Sequence, residues 1–165
     1  MSPSDSMDLL ESLVRRELED LRSVREAIAR YEKALRATSD EAYRDALALN
    51  LQSFYTGMEK ILQRIAREID EVMPTGPEWH KDLLLQMSTE FRGRPPVISR
   101  PTLELMDEYR SFRHVVRNLY PFSLNMHRLL FLAERSLPCL RQFEREILAF
   151  LEGLQDAGKS SEAET

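Results

Sequence analysis

The sequence predicts an all-α protein, an antiparallel bundle of about five helices. Apolar residues recur at helical steps of three and four along most of the 165 residues. No alternating run of β-branched residues indicates a strand, and proline and glycine cluster in short stretches between the helical ones. Together these three observations favour helices that are joined by short connections and pack side by side.

The first two helices are separated by a capping signal. Apolar residues at helical spacing, with dense charge between them, predict one long amphipathic helix over residues 8–37. Thr38 and Glu41 have the spacing of a capping box, in which each side chain bonds the backbone near the other residue. We therefore expect a second helix to start there and to run to about Met73.

Prolines mark the next boundaries. Pro77 suits the first position of a short third helix, because its fixed φ angle is already helical. Residues 91–99 contain one glycine and two prolines, so they are predicted to form a loop. A fourth helix is expected from Pro101 to Tyr120, where Pro121 ends it.

A fifth helix is predicted over about residues 125–155. Pro138 lies inside it and removes one backbone donor, so we expect a kink there. Residues 156–165 are polar and have nothing to bury, which predicts a disordered tail. We interpret residues 1–165 as a single helical domain.

Composition narrows the class of protein. Hydrophobic residues make up 42% and charged residues 31%, as in a soluble globular domain. The longest apolar stretches fall far short of the roughly 20 residues of a membrane span, and the start lacks the pattern of a secretory signal. These features predict a cytoplasmic protein. The net charge of −5 gives no overall attraction to nucleic acid, so any RNA site would have to be local.

Metal and cofactor motifs are absent from the sequence. The single cysteine, Cys139, excludes an internal disulfide and a multi-cysteine zinc site. No Glu-x-x-His pair and no phosphate-binding glycine loop is present, so we expect neither a metal ion nor a cofactor. His80 is interpreted as a surface or half-buried residue, and His127 as a weak candidate for a cleft residue.

One arginine of the fourth helix stands where an apolar residue is expected. On a wheel of about 100° per residue, Arg113 falls inside the apolar stripe, with Arg117 and His114 at its margin. A guanidinium is costly to bury alone, so Arg113 must face either a carboxylate or a cleft. The stripe consists of Leu105, Tyr109, Phe112, Val116, Leu119 and Tyr120, with Met106 at its edge.

The same region is locally basic. Between residues 92 and 128 there are no lysines, and three acids, Glu104, Asp107 and Glu108. Arginine suits bidentate contact with phosphate oxygens, but arginines can equally form salt bridges with acids of neighbouring helices. Composition leaves both interpretations open. The arginines are Arg92, Arg94, Arg100, Arg110, Arg113, Arg117 and Arg128.

The segment Arg-His-Val-Val-Arg-Asn-Leu-Tyr at 113–120, preceded by Asp-Glu-Tyr-Arg-Ser-Phe at 107–112, resembles the signature helix of the HEPN superfamily. It is most similar to the HepT-like ribonuclease toxins. The flanking residues 50–59 and 74–84 also resemble a HepT-like subfamily. The resemblance covers about residues 45–152, so the long first helix is an addition to it.

The resemblance implies a bundle that dimerises around a composite cleft and cleaves RNA without a metal ion. The family motif is an arginine, a polar residue, three further residues, a histidine, and a tyrosine two residues later. Arg113 matches the arginine, His114 the polar position and Tyr120 the tyrosine. Asn118 stands in the histidine position, and an amide cannot carry a proton near neutral pH.

Our first hypothesis, a ribonuclease of this kind, gives these residues roles, with His114 as a proton carrier because it lies one helical turn before Asn118. Arg113 would stabilise the transition state, His114 would transfer a proton, and Asn118 would position the RNA. Arg110 and Arg117 would hold flanking phosphates. Tyr120 would be the site where a nucleotidyltransferase antitoxin adds a nucleotide, although an aromatic residue before a proline is equally well a core residue.

A second hypothesis is a catalytically inactive helical adaptor that binds a protein partner, or RNA without cutting it. The long charged first helix would then be its main interaction surface. This hypothesis predicts that acids of the chain itself, such as Asp107, Glu108 or Glu144, fill the arginine cluster and leave no cleft.

Overall fold

The computed structural model describes residues 2–118 and 124–163, without the side chains of the helix-end residues 118, 162 and 163. The predicted all-α bundle is confirmed, since the described residues form helices and no strand. No described helix is both long and apolar enough to span a membrane. The helices are α1 (Pro3–Thr38), α2 (Glu41–Ile65), α3 (Trp79–Met87), α4 (Arg100–Asn118) and α5 (Met126–Ala163).

α1 begins earlier than predicted. Ser2 caps it, and Asp5 completes a capping box with the Ser2 backbone. The capping box predicted at Thr38 and Glu41 is wrong. Thr38 belongs to the last turn of α1, where its hydroxyl donates to the Ala34 carbonyl, and Asp40 instead caps α2 by accepting from the Ala42 N–H.

The end of α2 also differs from the prediction of Met73. A π-helical turn over Ala66–Asp70 follows α2, and Glu71 stops the helical path in the left-handed region at φ 54°. Asp70, the last residue of this turn, accepts hydrogen bonds from Arg94 and Gln86. We attribute the early stop to this tertiary contact, which a helical sequence pattern does not contain.

The last two helices bracket the segment that is not described. α4 starts after Ser99, whose N–H donates to a Glu146 carboxylate oxygen at 2.6 Å. Its predicted end at Tyr120 and Pro121 lies outside the described residues. α5 contains Pro138, and it continues as helix through residues 156–163, where we expected a disordered tail. The side chains of residues 156–161 are exposed.

α2 lies at the centre of the bundle, where it packs against α1, α3, α4 and α5. Tyr109 of α4 is buried against Phe54 of α2 with the rings edge to face, 5.2 Å between centroids, and its hydroxyl donates to the Leu132 carbonyl of α5. Gly57 lets α1 approach closely, because a Cβ there would lie 2.6 Å from a Leu21 methyl carbon. The two contacts of Tyr109 hold α4 against α2 and α5.

Candidate functional site

A groove with a volume of about 170 Å³ lies between the start of α3 and the second half of α4. We call it the α3–α4 groove. It contains four of the residues singled out from the sequence. Its lining comprises Pro77, Glu78, His80, Lys81, Arg110, Arg113, His114 and Arg117.

Arg113 is half-buried and lies on the apolar side of α4, close to the buried Phe112 and Tyr109. No acid among the described residues lies within 4.0 Å of its guanidinium nitrogens as an ion-pair partner. The sequence left open whether Arg113 faces a carboxylate or a cleft. In the structure it faces a cleft.

A second, larger groove of about 550 Å³ runs along α1 and α2, and we call it the α1–α2 groove. Arg113 and Arg117 line both grooves, so these two arginines form the wall between them. The α1 side is acidic, with Glu17 and Asp20, and Glu17 lies 3.8 Å from Lys60 of α2. The helix that is additional to the family resemblance therefore contributes to the surroundings of both arginines.

Other arginines of the basic region have partners within the chain. Arg110 lies 2.6 Å from Asp107, one turn earlier on α4, although it still lines the α3–α4 groove. Arg94 is paired with Asp70 and Arg100 with Glu104. Of these three arginines, only Arg94 pairs with an acid from another part of the fold, as the salt-bridge interpretation expects, whereas Arg100 and Arg110 pair with acids of α4 itself.

The proposed proton carrier His114 is exposed and lines the α3–α4 groove, as does the exposed Arg117. Asn118 is the last described residue of α4, and its side chain is outside the description. Tyr120 lies outside the described residues altogether. Of the six residues predicted for the site, the structure brings four to one groove: Arg110, Arg113, His114 and Arg117.

His80 and Glu59 belong to the same site, although the sequence pattern assigns neither of them to it. His80 lines the groove with 24% of its side chain exposed, and its Nδ1 lies 2.6 Å from Glu59 Oε2. The Glu59 side chain is 4% exposed. A signal for Glu59 was present, because it follows Tyr55 and precedes Leu62 on the buried face of α2.

Tyr55 adds a buried hydroxyl behind the groove. Burial raises the pKa of Tyr55 far above its ordinary value, and the neighbouring Glu59 carboxylate raises it further. Arg110 and Arg113 oppose this shift, which places both cations within electrostatic reach of the phenol. Tyr55 therefore stays neutral at every physiological pH.

The charges of the α3–α4 groove favour an anion. Three arginines and Lys81 face a single acid, Glu78, along its lining. Guanidinium groups bind phosphate oxygens in pairs, and imidazole transfers protons near neutral pH. No group of acids, histidines and cysteines within residues 2–118 and 124–163 could hold a metal ion. This combination suits a phosphodiester whose reaction moves protons.

Comparison with known proteins supports one assignment. Residues 46–154, about two-thirds of the chain, match the family model described as HepT-like protein. The match confirms the resemblance seen over about residues 45–152, and it contains the whole of α4 and both residues of the Glu59–His80 pair. No curated protein and no solved structure gives a significant match.

Proposed function

The chain belongs to the HepT-like protein family, and on this premise we propose that it is a HEPN-type toxin that cleaves RNA internally without a metal ion. One observation carries the proposal. Arg113 is half-buried, has no ion-pair partner among the described acids, and lines a basic groove together with His114. A fold that keeps a guanidinium in this state has a place for an anion, and the phosphodiester of RNA is the anion that the family membership favours.

The reaction uses the 2′-hydroxyl of the RNA itself. This oxygen attacks the adjacent phosphorus, and the bond from phosphorus to the 5′-oxygen breaks, leaving a 2′,3′-cyclic phosphate and a 5′-hydroxyl. The attacking hydroxyl loses a proton and the departing oxygen gains one. Arg113 stabilises the negative charge that develops on the phosphoryl oxygens, Asn118 positions the RNA, and Arg110 and Arg117 hold flanking phosphates.

The proposal includes the regulation that the family implies. Two chains form a homodimer that brings two α4 helices around one composite cleft. A nucleotidyltransferase-type antitoxin, in the same cytoplasmic compartment, blocks this cleft by adding a nucleotide to Tyr120, since the added phosphate is bulky and negatively charged. Light scattering of the purified protein tests the dimer. Mass spectrometry of Tyr120 and of the Tyr120→Phe variant, after coexpression with such an antitoxin, tests the modification.

Cleavage is tested by incubating the purified chain with unstructured RNA in EDTA. Arg113→Ala is expected to cut roughly 10²–10³-fold more slowly, because it removes a preorganised donor to the developing charge. Arg100→Ala is the matched control, since Arg100 lies on the same helix with 88% of its side chain exposed. If the wild type cuts no faster than Arg113→Ala, the proposed enzyme is wrong.

A chemical control distinguishes this mechanism from contaminating nucleases. RNA with a 2′-deoxyribose at the cleaved position should remain intact, because the attacking nucleophile is missing. The products of normal RNA should end in a 2′,3′-cyclic phosphate. Binding of RNA without any cleavage would instead support the inactive adaptor.

A further inference from the structure

The Glu59–His80 pair joins α2 to α3 at the edge of the basic groove. The buried Glu59 carboxylate needs a partner, since burying a charge alone is very costly. It is hydrogen-bonded to His80 Nδ1 at 2.6 Å and to Gln63 Nε2 at 3.5 Å, of which the second is at the limit of a hydrogen bond, and the Tyr55 phenol lies near it. Glu59 is therefore bound chiefly to His80.

This contact fixes the imidazole in one form. A carboxylate accepts hydrogen bonds, so this contact favours the tautomer in which Nδ1 of His80 keeps its proton and its N–H donates a hydrogen bond to Glu59. Nε2 is then the ring nitrogen with a free lone pair. The Trp79 ring stacks on the imidazole at 3.6 Å between centroids, which further limits its rotation. His80 thus has a set orientation and a set tautomer, as a general base requires.

The proposed reaction needs a general base that the family motif of this chain does not supply. Cleavage needs one group to accept a proton and another to donate one, but the histidine position of the family motif holds Asn118. On α4 only His114 lines the groove as a proton carrier. His80 lines the same groove from α3, and Arg113 and Lys81 are among the positive groups of that lining that would hold the phosphate.

We infer that His80 is the proton acceptor of the cleavage reaction and that Glu59 positions it, an assignment that rests on the proposed function. His80 Nε2 takes the 2′-hydroxyl proton as the oxygen bonds to phosphorus. The bond from phosphorus to the 5′-oxygen breaks, and that oxygen receives a proton from His114. His80 ends protonated and His114 neutral, and exchange with water restores both. The carboxylate of Glu59 stabilises the imidazolium while it exists.

A purely structural clamp between α2 and α3 is the competing explanation, and His80→Asn separates the two. The Asn amide can donate to Glu59 from nearly the same position as Nδ1, but it cannot accept a proton at the Nε2 position. We expect the thermal unfolding midpoint of the full-length protein to stay close to that of the wild type, and kcat to fall roughly 10²–10⁴-fold. His127→Asn is the matched control, because His127 is exposed on α5 and lines neither groove.

Glu59→Gln tests the positioning role. A glutamine can donate to Nδ1, which would shift the ring proton to Nε2 and remove the free lone pair. We expect kcat to fall at least about tenfold while KM stays within about twofold, because Glu59 does not contact the RNA. Activity equal to that of the wild type in Glu59→Gln would contradict the positioning role.

The decisive substrate is an oligoribonucleotide with one preferred linkage, first mapped with a random RNA pool in EDTA. The linkage is made once with its normal 5′-oxygen and once with sulfur in that place, because a thiolate departs without a proton. His114→Gln should be slow on the oxygen substrate and close to wild type on the sulfur substrate. His80→Asn should be slow on both.

The outcomes separate the two claims. Full activity of His80→Asn, or recovery of its rate on the sulfur substrate, would overturn the assignment of His80 as proton acceptor while leaving an enzyme that depends on Arg113. A wild type that cuts neither substrate, or an Arg113→Ala variant that cuts as fast as the wild type, would overturn both the proposed function and this inference.

Discussion

Arg94 and Arg113 come from the same arginine-rich stretch and have opposite surroundings. Arg94 is 7% exposed, and its guanidinium donates to both Asp70 carboxylate oxygens and to the carbonyls of Thr89, Pro95 and Gln86. Arg113 is half-buried and lines two grooves without an ion pair to any described acid. The fold satisfies the guanidinium donors of Arg94 with its own acceptors, whereas the guanidinium of Arg113 is available to a ligand.

Loss of the two side chains should therefore lower the free energy of unfolding by different amounts. Arg94→Ala leaves the Asp70 carboxylate buried without its cation, and we expect the free energy of unfolding to fall by about 3–5 kcal/mol. Arg113→Ala should change it by less than about 1 kcal/mol, because no buried charge loses a partner. Urea unfolding followed by circular dichroism measures both. Equal losses in the two variants would mean that Arg113 is also a structural residue.

The ion pair between Arg94 and Asp70 indicates that the free energy of unfolding depends on pH. Burial acts to raise the pKa of Asp70, but the hydrogen bonds from Arg94 and Gln86 outweigh it and lower that pKa below its ordinary 3.8. A carboxyl whose pKa is lowered by folding stabilises the fold above its unfolded pKa and loses this contribution as pH falls through the folded value.

We therefore expect the free energy of unfolding to decline as the pH falls below about 4, by less than the loss of Arg94 costs. Asp70→Asn should flatten this decline, since the amide does not titrate. The measurement is urea unfolding of the wild type and of Asp70→Asn at a series of acid pH values. Parallel curves for the two proteins would contradict the assignment to Asp70.

Gly57, which belongs to the uncharged part of the α1–α2 groove, is expected to have a smaller effect on stability when it is replaced. In Gly57→Ala the new methyl group would lie 2.6 Å from a carbon of the fully buried Leu21, so the Leu21 side chain or one of the two helices must shift. Overpacking of this kind costs roughly 1–3 kcal/mol, and the better helix propensity of alanine returns up to about 1 kcal/mol. We expect a net loss of stability of about 1–2 kcal/mol.

Gly153→Ala is the control for this substitution. Gly153 lies within α5, and nothing stands within 4 Å of a Cβ there, so alanine should stabilise the protein by about 0.5–1 kcal/mol. Thermal unfolding of both variants tests the difference in sign. A stabilising Gly57→Ala would show that α1 is not held tightly against α2.

The sequence predicted well the features that follow from the helical repeat, namely the helices themselves and the residues that share one helix face. The five helices follow from apolar spacing, and Arg113 stood out because a cation interrupts the apolar stripe of one helix. Glu59 interrupts the stripe of α2 in the same way and could have been found by the same argument. The conclusions that needed only one helix at a time were therefore the most dependable.

What could not be predicted depends on how helices pack. Glu59 and His80 are 21 residues apart, and their contact exists only because α3 lies against α2. Similarly, nothing in a helical pattern tells that Arg94 pairs with Asp70. Several side chains compete for each of these contacts, and the packing of the whole bundle decides between them.

The smallest predicted effect concerns the acidic side of the α1–α2 groove. Asp20 is exposed and lines this groove opposite Arg113 and Arg117, so it repels an approaching phosphate and weakens binding. Asp20→Asn should tighten binding of a 2′-O-methyl oligonucleotide, which cannot be cut, by about 1.5–5-fold, since a single exposed charge contributes about 0.2–1 kcal/mol.

Asp8→Asn is the control, because Asp8 is an exposed acid of α1 outside both grooves. Fluorescence anisotropy at rising salt measures the effect, which should vanish as the charges are screened. If both variants bind alike at low salt, the RNA does not pass along α1, and only the α3–α4 side of Arg113 contacts it.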